Sequence, residues 1–219
     1  LAETLGGGAA TMALAPLPPR GGGGGGMLFY GHRGASSICP ENTEASIRGA
    51  FALGADGVEV DIQATKDKQV IVLHDDTLQR TALPWAPGVG EMDCEPYEHL
   101  VASPVGSLCF NDVQAVDIGS WKAPEYHAER VVSLKKAFHI LREYPGKGIL
   151  VEVKGGDTSI VPLLREVVEQ AQVQPSLVHW IGFDLETMAL VKEAFPEFLV
   201  FHICQIANCR TPEEASAFI

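Results

Sequence analysis

Short apolar runs alternate with amphipathic segments along the chain from Met27 onward. The apolar runs predict six strands, near residues 27–32, 57–62, 69–74, 148–153, 177–183 and 198–203. Apolar side chains at helical spacing predict helices at residues 42–54, 133–146, 160–171 and 185–195, with a further helix beginning near Thr211. This alternation is typical of parallel strands with helices packed outside them. A (β/α) barrel and an open doubly wound sheet both fit it.

Two of the predicted strands carry charged side chains on a single face. In "GVEVDI", strand alternation places Glu59 and Asp61 on one side and only apolar side chains on the other. "ILVEVKG" repeats the pattern with Glu152 and Lys154. Three interior carboxylates repel one another unless a cation neutralises them, and oxygen ligands suit Mg²⁺ or Ca²⁺ rather than zinc. Solvated faces of edge strands are the alternative, which is weaker because the pattern occurs twice.

The stretch between Asp61 and His74 is too short for a parallel crossover followed by a strand. We therefore predict a hairpin that turns at Asp67 and Lys68 and places His74 opposite Asp61, beside the carboxylates. His32 ends the first predicted strand, at the edge where barrel enzymes hold their chemistry. Two histidines beside a cation suit general acid–base catalysis.

The overall charge limits how a phosphate could be bound. The 219-residue chain has a formal net charge of −12 and lacks the basic stripe that nucleic-acid binders show. Phosphate binding therefore needs a local source of positive charge, such as a metal ion or a few placed cationic side chains. Arg33 can bind a phosphate through two parallel hydrogen bonds, and Lys154 adds a point charge. We expect a small-molecule partner and no nucleic acid.

Composition also bears on compartment and order. Five cysteines, an odd number without Cys-x-x-Cys spacing, favour a reducing compartment, the cytoplasm, over a disulfide framework. No apolar run reaches the roughly 18 residues of a membrane span. Residues 1–26 are rich in Ala, Gly and Pro and end in six glycines, a composition that buries too little surface to become ordered. We expect a disordered leader over residues 1–26 and a single barrel domain over residues 27–219.

Four stretches of the chain form a specific set. They are "GHRGASSICPENT", "GVEVDIQATKDKQVIVLHDDTLQRT", "DIGSW" and "LVEVKG". In these stretches, in their order and in their spacing, the chain resembles the glycerophosphodiester phosphodiesterase family. The resemblance runs from about residue 29 to 155 and, more loosely, to about residue 203.

The resemblance implies a TIM-type (β/α) barrel and metal-dependent hydrolysis of glycerophosphodiesters to glycerol 3-phosphate and an alcohol. By motif match, the metal ligands would be Glu59, Asp61 and Glu152, and the acid–base pair would be His32 and His74. Arg33 and Lys154 would hold the phosphate, while Asn42 would orient its neighbours. The family also implies an inserted cap over the substrate, here at about residues 75–132.

The predicted strand count departs from a complete barrel. Six strands fall short of the eight that closure requires, so we expect a barrel truncated at its C-terminal side, with an open edge that promotes self-association. Two other functions stay open: a lysophospholipase of the C or D type with another alcohol, and a catalytically inert truncated isoform. A metal-dependent lyase or aldolase fits less well, because two histidines and Arg33 suit a phosphodiester.

Overall fold

The structure is a computed structural model and describes residues 27–82 and 94–204. Its strands β1 to β6 are Tyr30–Gly31, Gly57–Ala64, Val70–Val72, Gly148–Val153, Val178–Gly182 and Leu199–His202. Its helices α1 to α6 are Glu44–Ala52, Cys94–Ala102, Phe110–Gln114, Leu134–Arg142, Ile160–Ala171 and Leu185–Ala194. The expected leader over residues 1–26 and the helix expected near Thr211 lie outside the described residues.

All six strands belong to one sheet. Strands β1, β2, β4, β5 and β6 lie side by side in this order and run parallel, while β3 pairs antiparallel with β2. The six predicted strands are therefore all present in the described part of the chain, where one of them is the hairpin strand and the other five form the parallel part. Within the described residues β1 and β6 do not pair with each other. The sheet is an open part of a (β/α) barrel.

The alternation in β2 and β4 separates an apolar face from a charged one. Val58, Val60 and Ile62 are fully buried in the main hydrophobic cluster, together with side chains of α1, α4 and α5. Trp180 of β5 is also fully buried there and stacks on Phe195. Removing these apolar side chains from water stabilises the packing of the helices against the sheet. The carboxylates of β2 and β4 lie on the opposite face.

Helix α1 is capped at its N-terminus by Thr43, one of the two predicted caps. The Thr43 hydroxyl accepts from the Ser46 amide at 3.2 Å, and the Ser46 hydroxyl accepts from the Thr43 amide at 3.1 Å. This reciprocal pair is a capping box. Asn42 precedes the cap in left-handed conformation, with φ of 57°. Because Thr43 caps the helix, the Asn42 side chain can make a different contact, which is described below with the candidate site.

The hairpin between β2 and β3 is confirmed, but its predicted register is wrong by one residue. Ile62 pairs with Val72, and the Leu73 amide donates to the Asp61 carbonyl at 2.9 Å. Leu73, and not His74, therefore lies opposite Asp61. A shift by one residue moves every side chain of a strand to the other face of the sheet.

The register differs because the loop has an odd number of residues. The Thr65 amide donates to the Gln69 carbonyl at 2.9 Å, and Lys68 takes a left-handed conformation with φ of 65°. The loop is thus centred on Asp67, whereas a turn at Asp67 and Lys68 would be centred between them.

No helix in the described part of the chain is long and apolar enough to cross a bilayer.

A second, smaller hydrophobic cluster lies next to β3. It joins Ile71 and Leu73 to apolar side chains of the following segment, among them Val101, Val113 and Ile118. The described part of residues 75–132 therefore has buried contacts of its own. This is compatible with the cap expected from the sequence, whose boundaries stay a prediction.

Candidate metal and phosphate site

Three carboxylates converge on one face of β2 and β4, near the end of the parallel pairing between these strands. One oxygen each of Glu59, Asp61 and Glu152 lies within 4.8 Å of the others. The parallel register explains the convergence, because Asp61 and Glu152 are paired residues on neighbouring strands and Glu59 is two residues away on the same face. The three residues Glu59, Asp61 and Glu152 are buried, with relative exposures of 7%, 1% and 9% respectively.

Two cations and one amide surround the three acids. Lys154 Nζ lies 2.6 Å from Glu152 Oε1 and 2.7 Å from Asp61 Oδ1. Arg33 donates its backbone amide to Glu59 Oε2 at 2.8 Å and holds Nε 3.5 Å from Asp61 Oδ2. The Asn42 side-chain amide donates to Asp61 Oδ2 at 2.8 Å. Burying charges requires this kind of pairing.

The backbone of the His-Arg-Gly stretch is shaped for these contacts. Arg33 has φ of 54°, a left-handed conformation that few residues other than glycine adopt without cost. Gly34 follows with φ of 78°, and a Cβ there would lie 2.5 Å from Ser46 Oγ. The turn therefore needs glycine at this position, and it aims the Arg33 amide at Glu59.

The charge balance of the cluster leaves it short of positive charge. Burial raises the pKa of Glu59 to about 7, with further contributions from the Asp61 and Glu152 charges. Burial alone would lower the pKa of Lys154, but the hydrogen bonds that its ammonium donates to Asp61 and Glu152 raise the pKa overall. Within the described residues, Glu59 Oε1 is buried without a hydrogen-bond partner. An all-oxygen donor set with one buried, unpaired carboxylate oxygen fits a divalent cation.

The pKa of Glu59 predicts how metal-free protein responds to pH. A carboxyl whose pKa is raised on folding stabilises the fold below its ordinary pKa, so this contribution is lost as pH rises from 4.5 to about 7. We expect the free energy of unfolding to fall by a few kcal/mol over this window, and the fall to be much smaller in Glu59→Gln. Urea unfolding in EDTA measures it. Glu166→Gln, an exposed change on α5, is the control, and equal slopes in Glu59→Gln and wild type would contradict the assignment.

The two histidines occupy different positions around the acids. His32 follows β1, with Nε2 3.8 Å from Glu59 Oε2 and a side chain that is 71% exposed. His74 follows β3, and its Nδ1 lies 2.6 Å from Asp75 Oδ1. Among its described ion pairs, His74 contacts Asp75 and none of the three clustered acids. The structure thus places His32 directly against the cluster and His74 in a pair of its own.

Sequence reasoning missed the partners of His74 and Arg33. Asp75 and Glu41 are both held by Arg80, at distances from 2.6 to 3.1 Å. The sequence offered one signal for them, since Asp75 directly follows His74 and Glu41 directly precedes Asn42 in the quoted motifs. Asp75 and Glu41 could therefore have been proposed as site residues because of their neighbours. Their contact with Arg80 could not have been proposed, because no spacing rule connects Glu41 to Arg80.

An open parallel sheet with outer helices and a carboxylate cluster at its strand ends defines a protein of the (β/α)-barrel class with a candidate divalent-metal site. Residues 32–204 match the model of the glycerophosphoryl diester phosphodiesterase family. The chain therefore belongs to that family.

Individual relatives agree with this assignment. The glycerophosphodiester phosphodiesterase of Caldanaerobacter subterraneus is 29% identical over 172 residues, which cover 74% of this chain and 63% of that protein. Bacillus subtilis YhdW, which carries the same family name, is 35% identical over 135 residues, covering 61% of this chain and 47% of YhdW. An Oleispira antarctica phosphodiesterase, solved with the product sn-glycerol-3-phosphate, superposes with a TM-score of 0.69 at 26% identity, covering 84% of this chain and 68% of that one. The chain spans about half to two thirds of the length of these curated relatives.

Proposed function

We propose that this chain hydrolyses glycerophosphodiesters to glycerol 3-phosphate and an alcohol, with Mg²⁺ or Ca²⁺ bound by Glu59, Asp61 and Glu152. The observation that carries the proposal is the buried convergence of these three acids beside two cations. Family membership and the Oleispira antarctica relative with its glycerol phosphate product support the choice of substrate.

Charge complementarity supports binding of a phosphodiester. With Glu59 ionised, the three carboxylates outnumber Lys154 and Arg33, and Arg33 is also paired with Glu41 at 2.8 Å, so the site is negative without a cation. A divalent cation would offset this charge and supply a positive centre for the phosphate. A phosphodiester carries a single negative charge, so the loaded site would attract it. Arg33 and Lys154 are the proposed phosphate-binding residues, and Asn42 supports the site by holding Asp61.

The proposed reaction divides the proton transfers between the two histidines. A bound cation would supply polarisation of a non-bridging phosphate oxygen. One imidazole takes the proton of the nucleophile, and the other protonates the leaving alkoxide. The nucleophile is either water or the glycerol 2-hydroxyl, and in the second route a cyclic phosphate forms and is then hydrolysed. Phosphorus NMR under single-turnover conditions distinguishes the routes, because only the second accumulates a cyclic ester.

The proposal is tested by an assay on glycerophosphocholine and glycerophosphoethanolamine with separate titrations of Mg²⁺ and Ca²⁺. We expect release of glycerol 3-phosphate that depends on the cation and stops in EDTA. Turnover of lysophospholipids in place of these substrates would favour the lysophospholipase alternative. Folded protein that binds the cation without turnover of either substrate would favour the inert isoform.

We also propose that the open edge of the sheet at β6, which pairs only with β5 within the described residues, promotes self-association. Leu199 and Phe201 of β6 are 53% and 48% exposed, and exposed apolar patches commonly mark contact surfaces. We expect Phe201→Ser to lower the weight-average mass in sedimentation velocity at high protein concentration. Leu190→Ser, on the exposed side of α6, is the control, and equal association in both variants and wild type would contradict the proposal.

Two other expectations stay proposals. A reducing compartment such as the cytoplasm is supported by the free thiols of Cys39, Cys109 and Cys204 within the described residues. A cap at about residues 75–132 is supported by the smaller hydrophobic cluster next to β3.

A further inference from the structure

A continuous chain of ion pairs joins Arg33 to His74. Arg33 Nη1 lies 2.8 Å from Glu41 Oε1, and the same carboxylate accepts from Arg80 Nη2 at 2.7 Å and from Arg80 Nη1 at 2.9 Å. Arg80 Nε donates to Asp75 Oδ2 at 2.6 Å. Asp75 Oδ1 in turn lies 2.6 Å from His74 Nδ1. Arg80 thus holds two acids, of which Glu41 contacts Arg33 and Asp75 contacts His74.

The geometry fixes which nitrogen of His74 is available for proton exchange. Hydrogen bonds from Arg80 lower the pKa of Asp75 to about 2, so Asp75 is a carboxylate at neutral pH. A carboxylate against Nδ1 favours a proton on that nitrogen, which leaves Nε2 to exchange protons with a substrate. Gln63 fixes the backbone here, because its Nε2 donates to the carbonyls of Leu73, His74 and Asp75 at 3.1, 3.2 and 2.7 Å.

Stability alone is a poor explanation for this arrangement. The Arg80 side chain is 45% exposed, and exposed ion pairs typically contribute only about 0 to 1 kcal/mol. The planar guanidinium does, however, fix the relative orientation of two carboxylates through several directed hydrogen bonds. Glu41 itself is only 11% exposed, and hydrogen bonds from Arg80 and Arg33 lower its pKa although burial would raise it. The arrangement is therefore suited to orientation.

We propose that Glu41, Arg80 and Asp75 are positioning residues, in which Arg80 holds Asp75 against His74 and Glu41 against Arg33. The proton-exchanging and phosphate-binding groups are then oriented by one guanidinium. This inference rests on the function proposed above, and it adds three residues to those that the motifs assigned.

Kinetics on glycerophosphocholine separate the two arms of the chain of ion pairs. Asp75→Asn acts through His74 and is expected to lower kcat at little cost in KM, whereas Glu41→Gln acts through Arg33 and is expected mainly to raise KM. Arg80→Gln should do both, by about tenfold or more in each, the range usual for residues that orient a site group. Arg80→Lys should restore only part of this, because an ammonium cannot reproduce the fork.

Arg48 provides a matched control on α1. Arg48 also bridges two acids, Glu44 at 2.8 Å and Glu143 at 2.6 and 3.0 Å. Arg48→Gln therefore removes a similar ion-pair bridge away from the site, and it should leave kcat and KM unchanged. If Arg80→Gln behaves like Arg48→Gln, the proposal is overturned.

A second readout needs no turnover. Nitrogen-15 NMR of the full-length chain reports which ring nitrogen of His74 carries the proton. We expect Nδ1 in wild type and Arg48→Gln, and a shift towards Nε2 in Arg80→Gln and Asp75→Asn. An unchanged tautomer in both variants overturns the proposal even if activity is lost. If wild type turns over no diester, the proposed function fails, and the tautomer alone then decides the role of Arg80.

Discussion

Replacing either His32 or His74 by alanine is expected to lower kcat by at least about a hundredfold, the usual contribution of a general acid or base. Neither change should weaken cation binding much, because the candidate ligand atoms come from three carboxylates and from neither imidazole. Steady-state kinetics on glycerophosphocholine, with isothermal titration of Mg²⁺ or Ca²⁺ on each variant, gives both quantities. Any change in cation affinity should be larger in His32→Ala than in His74→Ala, because His32 Nε2 lies 3.8 Å from Glu59 Oε2.

His139→Ala is the control for both variants. His139 is exposed on α4, on the outside of the sheet, and its loss should leave kcat and cation affinity as in wild type. Turnover close to wild type in His32→Ala or His74→Ala would remove that histidine from the proposed mechanism. A large loss of cation affinity in His32→Ala would instead make His32 a ligand.

The second large effect is expected from Asp61→Asn. Asp61 is 1% exposed and is the carboxylate on which Lys154, Arg33 and Asn42 converge. Its replacement removes a proposed ligand and leaves Arg33 and Lys154, whose side chains are 19% and 23% exposed, with less compensating charge. We expect cation affinity to fall by at least about a hundredfold, more than for residues that only orient ligands, and turnover to be lost with it.

Stability must be measured alongside affinity in this variant. Removing one partner of a buried ion pair commonly costs about 3 to 5 kcal/mol, so thermal unfolding of Asp61→Asn in EDTA has to be compared with wild type. Glu166→Gln on α5 removes an exposed carboxylate as the control. A folded Asp61→Asn protein that binds the cation as tightly as wild type would refute the proposed ligand set.

The convergence of the acids was predictable because it follows from strand periodicity. Alternation alone puts Glu59 and Asp61 on one face of β2. Because β4 runs parallel to β2, Glu152 lies beside Asp61 on the same face. The apolar faces were predictable for the same reason, since Val58 and Val60 are fully buried as their pattern indicated. These features depend on residues two apart on regular strands, which sequence displays directly.

The hairpin register was not predictable to one residue, because it depends on the loop and not on the strands. Residues 65–69 close through Thr65 and the left-handed Lys68, and nothing in the alternation distinguishes this loop from a two-residue turn. The cap of α1 was ambiguous for a related reason. Asn42 and Thr43 are both good caps, and they are distinguished by tertiary structure, in which Thr43 forms the capping box with Ser46 and Asn42 contacts Asp61.

The partners of Arg80 were missed because they are tertiary contacts. Arg80 meets Glu41 across 39 positions of sequence, and it does so only once the loops after β1 and β3 lie next to each other. Side chains that meet in this way show no periodicity. They become visible when the backbone places the two loops.

The pairing of Asp61 with Glu152 has a consequence for folding. These acids come from strands that are distant in sequence and adjacent only after β4 has docked on β2, so the unfolded chain offers no equivalent donor set. A cation that binds the native state alone stabilises it by about 2.7 kcal/mol at a hundredfold excess over its dissociation constant. The melting temperature of this protein would then rise with the logarithm of free cation concentration. Thermal melts at several cation concentrations would therefore report whether the three carboxylates bind the cation together in the folded state.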